Sequence, residues 1–343
     1  MKTSNFSSNR PHRLHSGFTL LEMVLVVFIM GTLATVSLTF IENEDAQWRY
    51  DESINKMKMI REAVVKVRDY NNEERLSGFV FDNGVLPPLP SPSSVLQVKP
   101  LIEKDDSWSK NTVTSVEWED YGLQIPTYKN DTSTFPLTGS EFNLFKGYRN
   151  HYLPSSSLDS DEEFLDAWGL PFGIANTTNT YQFSLENNYA TGVNKIEGFT
   201  TPLNYEVSPD DWSIPIEQLR FSIENKTSAG IDVANYQIAL LIYLNTKDSS
   251  NKWKTYYFNP ILPSTIGIDA TELFGPGGNS ITWKQNKNPI TSFSRIPVGR
   301  HIVAIFSESP PDGTTTLPNT IKDNTQILIS ARSSIPTIKF VIE

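Results

Sequence analysis

The 343-residue chain contains no cysteine and only four histidines. Without cysteine there is neither a disulfide framework nor a thiolate metal site. The shortage of histidine removes the commonest general base, and the sequence carries no G-x-S-x-G or H-E-x-x-H pattern for nucleophilic or zinc-assisted hydrolysis. A glycosidase needs two acids facing each other across a cleft, and the spacing of the acids selects no such pair. A basic excess is missing too. Lys and Arg number 29 against 39 Asp and Glu, for a net charge of −10, so no stripe of cations is available to offset phosphate and nucleic acid is not an expected partner. An enzyme is therefore not expected, nor is a cofactor or a resident metal. Apolar residues at 38% and charged residues at 20% are ordinary globular usage, which argues against wholesale disorder. The length leaves room for two modest domains and a long helix.

Long apolar runs are absent with one exception, Phe18 to Ile41, which reads FTLLEMVLVVFIMGTLATVSLTFI. As a helix it is long enough to cross a hydrocarbon core that needs about 20 apolar residues. Its one charged residue is Glu22. The flank before it holds Lys2, Arg10 and Arg13 with no acid, whereas Glu42, Glu44 and Asp45 follow it. The positive-inside rule then places residues 1–16 in the cytoplasm and everything beyond about Ile41 across the membrane. A secretory signal peptide is the competing reading, with Gly31-Thr-Leu-Ala34 offering small residues for cleavage. Against it, the apolar stretch runs on past that point, and a carboxylate stands in its first turn, where charge costs several kcal/mol.

The residues Gly17-Phe-Thr-Leu-Leu-Glu22-Met resemble the processing site shared by type IV pilins, minor pilins and the pseudopilins of type II secretion. The resemblance implies a precursor cut after Gly17 by a prepilin peptidase, methylation of the new N-terminus at Phe18, and an assembly role for Glu22. It also implies other pilin or pseudopilin subunits, an inner-membrane assembly platform and the lipid bilayer as partners. The expected location is the bacterial inner membrane, single-pass with periplasmic C-terminal domains, or the cell exterior as part of a pilus. The chemistry agrees with that role: cleavage creates an ammonium four residues from Glu22, and a carboxylate in lipid needs such a partner. Paired between subunits, the two charges set the axial register, because a misplaced subunit leaves both unpaired in an apolar bundle. Thr19-Leu-Leu-Glu22 also fits a helix capping box, and Gly31 allows bending or close packing.

Beyond the membrane the helix is expected to continue, since Ile54, Met57, Ile60, Val64 and Val67 recur at helical spacing between charged residues. It should fade near Asn71-Asn72, with Gly78 past its end. The stripe must bury against a sheet of the same chain.

In residues 79–207, Asn83-Gly84 and the following prolines mark turns and an extended exit from the helix. Gly147 to Leu153 and Asp166-Ala-Trp-Gly-Leu-Pro-Phe172 resemble paired segments that precede the small antiparallel sheet of the pseudopilin head. Phe172 stands where that family's pattern has tyrosine. The second segment reads as a structural turn: Asp166 accepts backbone amides, Trp168 covers the core, Gly169 permits an unusual backbone angle and Pro171 closes it. Tyr181 to Leu185 reads as a strand. Some pseudopilins bind calcium in a loop after this turn, but Glu186 to Gly192 lacks their aspartates, so calcium is not carried over. Asp159-Ser-Asp-Glu-Glu163 reads as a solvated acidic turn or a helix start, lacking the glycine and spaced ligands of a cation loop.

From Ser208 the sequence turns to β-branched and aromatic runs: Leu219–Ile223, Tyr236–Tyr243, Trp253–Phe258, His301–Phe306, Gln326–Ser330 and Ile338–Ile342. Such runs, separated by turn signals, point to an antiparallel sandwich, and Ile296-Pro-Val-Gly-Arg-His-Ile-Val resembles a turn entering a strand of an Ig-like module. Phe274-Gly-Pro-Gly-Gly278 is a turn, lacking the ending of a phosphate loop.

The expected chain is thus α+β: a leader 1–17, a helix 18–78 with its membrane segment at 18–41, a pilin-like head 79–207 and a β-sandwich 208–343. The expected function is that of a minor filament subunit of a type II secretion or type IV pilus system. A membrane-tethered periplasmic binding module outside any filament is the alternative.

Overall fold

The computed structural model describes residues 19–70, 75–88, 98–102, 118–129, 134–137, 144–149, 151–154, 158, 164–176, 180–185, 204–233, 236–246, 251–258, 265–285, 288–290, 294–307, 320–333 and 335–343. Two compact units divide the chain at Asp51/Glu52.

The first unit contains the N-terminal stretch of α1 (Leu20–Val65), whose apolar segment Leu20–Leu38 has no buried residue. The second unit opens with the rest of α1. There Ser53, Met57, Ile60, Ala63 and Val64 are buried, the three- and four-residue spacing that lays one face of a helix on a core. The helix stops at Val65, short of the expected Asn71-Asn72. A short hairpin takes its place, β1 (Arg68–Tyr70) pairing antiparallel with β2 (Arg75–Ser77). The β-branched Val64, Val65 and Val67 at the changeover are poor helix formers.

The expected extended exit is also corrected. Phe79–Asn83 form a five-residue helix, α2, buried along its whole length and closed by Gly84 in the left-handed conformation, φ 69°. No other residue fits there, since a Cβ on Gly84 would stand 2.0 Å from the Tyr243 carbonyl oxygen. Around α2 and α1 gather Leu101, Trp118, Tyr148, Tyr152, Phe164, Phe172, Val207 and Trp212 in one apolar cluster. Much of it comes from irregular segments rather than strands.

The chain then makes β3 (Gly122–Gln124), β4 (Thr127–Lys129), β5 (Thr134–Pro136) and β6 (Leu144–Lys146), paired antiparallel as β3 with β6 and β4 with β5. The three-stranded antiparallel sheet that follows consists of β7 (Phe172–Asn176), β8 (Tyr181–Leu185) and β9 (Asn204–Val207). The short helix α3 (Pro209–Trp212) begins with a capping box between Ser208 and Asp211.

After β10 (Ser213–Pro215) come β11 (Phe221–Asn225), β12 (Ile231–Asp232), β13 (Tyr236–Tyr243), β14 (Trp253–Phe258), β15 (Thr265–Ile266) and β16 (Thr271–Phe274). The chain ends with β17 (Lys284–Gln285), β18 (Asn288–Pro289), β19 (Arg295–Pro297), β20 (Gly299–Ser307), β21 (Thr320–Ile329) and β22 (Ile338–Ile342). A six-stranded antiparallel sheet runs β18-β17-β14-β13-β20-β21, and a three-stranded sheet runs β16-β11-β22. In the latter, β11 and β22 are parallel, which corrects the expectation of a wholly antiparallel arrangement. Antiparallel neighbours can be joined by a hairpin, whereas these two strands come from opposite ends of the region and meet side by side.

The inner faces of these two sheets share one core of Phe221, Ile223, Ile238, Leu240, Ile242, Phe258, Val303, Ile305 and Phe340. On its other face the six-stranded sheet presents Ala239, Leu241, Tyr243, Ile302, Ala304 and Phe306 to Tyr128, Leu137 and Leu144. Strand β13 is thus apolar at nearly every position because both of its faces are covered. The expected boundary between residues 207 and 208 lies inside the single unit Glu52–Glu343. At the β16 edge of the three-stranded sheet, the Phe274–Gly278 segment folds back so that the Asn279 N–H donates to the Leu273 carbonyl at 2.8 Å. This blunts an edge that would otherwise invite another strand.

Candidate functional site at the start of the N-terminal helix

A helix start leaves its first amides without partners. Here Thr19 and Glu22 satisfy two of them reciprocally. The Glu22 N–H donates to Thr19 Oγ1 at 3.3 Å and the Thr19 N–H donates to Glu22 Oε2 at 3.4 Å, the capping-box arrangement. The carboxylate also faces the positive end of the helix dipole. One long bond uses little of a carboxylate's capacity, about four lone-pair sites, so Glu22 keeps room for a cation.

The rest of the segment is made for an apolar surrounding. Thr32 Oγ1 donates to the Ile29 carbonyl and Thr35 Oγ1 to the Gly31 carbonyl, each at 2.9 Å, so the hydroxyls find partners within the helix. Leu21 is 79% exposed and Phe28 68%. Each such side chain gains about 1.5–3 kcal/mol when removed from water, so the segment requires lipid or other helices around it. A 19-residue span, Leu20–Leu38, is about 28 Å long at 1.5 Å per residue, close to the thickness of a hydrocarbon core. Among the described residues nothing lies within 4 Å of the position a Cβ on Gly31 would occupy, leaving that backbone open to a close neighbour.

Gly17 and Phe18 lie outside the described residues, as do Asp159–Glu163 and Glu186–Gly192. The remaining sequence-selected residues form the turn at 166–171. Asp166 Oδ1 accepts the Trp168 N–H at 2.8 Å and the Leu170 N–H at 2.9 Å, while the Asp166 N–H donates to the Leu170 carbonyl at 2.8 Å. Gly169 has φ 79°, Leu165 bridges to Pro171, and Trp168 packs on the apolar cluster around α1. The helix grips the turn directly: Ser53 Oγ accepts the Ala167 N–H at 3.0 Å, and Lys56 Nζ donates to the Leu165 carbonyl at 2.9 Å.

Of the two histidines that follow the matched N-terminal region, His151 is exposed and His301 is fully buried in β20. His301 belongs to a polar joint around α2 that sequence reasoning missed. Every carbonyl of that short helix is bonded: Phe79 by Asn83 Nδ2, Val80 by the Gly84 N–H, Phe81 by Lys146 Nζ, Asp82 by the Gly147 N–H and Asn83 by the Asn245 N–H. Asp82, Asn83, Lys146, Asn245 and His301 are all buried, and polar residues of these types are ordinarily read as surface positions.

The model of the prokaryotic N-terminal methylation motif matches residues 12–38, which takes in Gly17, Phe18, the Thr19–Glu22 cap and the whole exposed apolar span. No curated protein and no solved structure matches the chain.

Proposed function

We propose that this chain, type IV pilin-like by its methylation motif and N-terminal apolar helix, is a minor filament subunit. It is cut after Gly17, methylated on Phe18 and assembled through α1. The observation that carries this reading is the Leu20–Leu38 segment, exposed throughout and headed by one carboxylate within the matched motif. Apolar surface of that extent is stable only in a bilayer or a bundle of helices. The bilayer serves the free subunit and the bundle the assembled one.

Glu22 then acts as the register device. Its carboxylate pairs with the Phe18 ammonium of a neighbour, and a subunit docked out of stagger leaves two charges unpaired in an apolar setting, which is strongly destabilising. The intramolecular cap from Thr19 is compatible with that pairing, since it occupies a single oxygen. Residues 1–16 face the cytoplasm and the second unit faces the periplasm, following the basic flank before the span and the acidic flank after it.

The size of the second unit favours a minor subunit over a major one. The unit Glu52–Glu343 is large, and placing it on every subunit would crowd a lattice built on α1. The C-terminal sheets, a sandwich that we read as Ig-like, add a surface for protein or glycan at low copy number. The absence of cysteine favours a type II secretion pseudopilin over a pilus subunit stapled by a disulfide.

The experiment is to introduce Glu22→Ala and Glu22→Leu in the native host and follow the chain in membranes and in sheared or purified filaments. Both variants should remain in the membrane at wild-type abundance, with incorporation reduced at least tenfold. Normal incorporation of both would refute the register role.

A further inference from the structure

The packing of α2 against β20 encloses ionisable groups that filament assembly does not use. On one side of α2, Ser77 Oγ donates to Asp82 Oδ2 at 2.6 Å, Arg149 Nε stands 3.8 Å from the same oxygen, and Tyr152 lies in the same electrostatic neighbourhood. Among the described residues Asp82 Oδ1 is buried with no hydrogen-bond partner. On the other side, Lys146 Nζ donates to the Phe81 carbonyl at 2.6 Å. It occupies space that Gly299 leaves open: a Cβ there would lie 2.9 Å from Lys146 Nζ and 3.6 Å from His301 Nε2. Arg300 adds its charge to that side.

His301 Nε2 lies 2.7 Å from the Pro297 carbonyl. A carbonyl only accepts, so Nε2 carries the proton. Among the described residues Nδ1 is buried with no hydrogen-bond partner, so a second proton there would find no acceptor, and the imidazolium would feel the repulsion of the Lys146 ammonium. The two unpartnered atoms therefore respond to acid in opposite ways. A buried carboxylate with one bare oxygen favours protonation, whereas a buried imidazole next to a cation resists it.

We propose that Asp82 and His301 form a compensating pair across this joint: Asp82 takes up a proton on mild acidification, His301 refuses one, and the packing of α2 on β20 keeps constant strength. The inference is independent of the filament reading.

The titration directions agree with the geometry. Burial, opposed by the Ser77 bond and the Arg149 and Lys146 charges, raises Asp82 from 3.8 to about 7. Burial and the Lys146 charge lower His301 from 6.5 to about 3. A raised folded value gives Asp82 a stabilising contribution that is full below pH 3.8 and lost as pH rises through about 7. A lowered folded value gives His301 a contribution that is full above pH 6.5 and lost as pH falls through about 3. The two slopes oppose each other between about pH 4 and 6.5. Burial lowers Lys146 to about 8, so its titration lies alkaline of that window. Burial holds Tyr152 well above its ordinary value.

The test is the melting temperature of the full chain in detergent from about pH 4.5 to 6.5, the window set by linkage, for wild type, Asp82→Asn, His301→Gln and the double variant. Relative to wild type, Asp82→Asn should lose melting temperature as pH falls, His301→Gln should gain it, and the double variant should run parallel to wild type. Single variants that run parallel to wild type across the range would overturn the proposal. Hydrogen exchange on the unaltered chain gives a second readout, and protection of the α2 amides should stay constant over the window. A tenfold loss of that protection on acidification would contradict compensation.

Discussion

Asn245 holds Asn83 twice. Its backbone N–H donates to the Asn83 carbonyl at 2.7 Å and its side-chain Nδ2 donates to Asn83 Oδ1 at 2.9 Å. The same side chain donates to the Glu119 carbonyl and accepts the Glu119 N–H at 3.2 Å, so one amide joins α2, the segment leading to β3 and the end of β13. Asn245→Ala removes three bonds and leaves buried polar atoms behind, at a cost of about 3 kcal/mol. The urea midpoint should fall with an unchanged slope. An Asn83→Ala, Asn245→Ala pair should cost clearly less than the sum of the singles, because both belong to one network.

The Asp166 turn distinguishes an acceptor from a charge. Both amide bonds end on Oδ1, which asparagine can reproduce and alanine cannot. Asp166→Asn should therefore lose well under about 1 kcal/mol while Asp166→Ala loses about 2 kcal/mol, the worth of two backbone bonds to a side-chain oxygen. Equal losses in thermal melts would show that the charge, rather than the geometry, holds the turn.

Asp211 carries the electrostatic link between α1, α3 and the segment after β21. Its Oδ1 meets Arg61 Nη2 at 2.8 Å and Arg332 Nη2 at 2.7 Å, and Oδ2 accepts the Ser208 N–H and hydroxyl, each at 3.0 Å. Burial pushes this carboxyl up, but the Ser208 bonds and the two guanidinium charges outweigh it and hold the group below its ordinary 3.8. A lowered folded value gives stability that is full above the ordinary value and lost as pH falls through the folded one. Asp211→Asn should thus cost on the order of 1 kcal/mol at neutral pH, and the gap to wild type should close below about pH 4. A gap that stays constant into acid would mean that the carboxylate's charge contributes nothing.

Periodicity and composition exposed some of this architecture and hid the rest for identifiable reasons. The apolar run, the methylation motif and the strands Tyr236–Tyr243, Trp253–Phe258 and Ile338–Ile342 could be read directly, because a span and a buried strand each leave an uninterrupted local signal. The end of α1 at Val65 was obscured by charged residues that keep helical spacing beyond it. Helix α2 is five residues long, too short for periodicity, and lies next to an Asn-Gly pair and prolines that signal turns. Asp82, Lys146 and His301 gave no sign of burial, since the joint that encloses them is built by packing α2 on β6 and β20, elements far apart in the chain. The parallel pairing of β11 with β22 depends on contacts more than a hundred residues apart, which no local pattern encodes.

Processing at Gly17 is read from the intact mass and N-terminal sequence of the chain from native membranes, with and without the host's prepilin peptidase. A mature chain beginning at N-methylated Phe18 is expected in the complete host, and the uncut precursor when the peptidase is missing. A chain that remains uncut in the complete host, or one cleaved near Ala34, would contradict it.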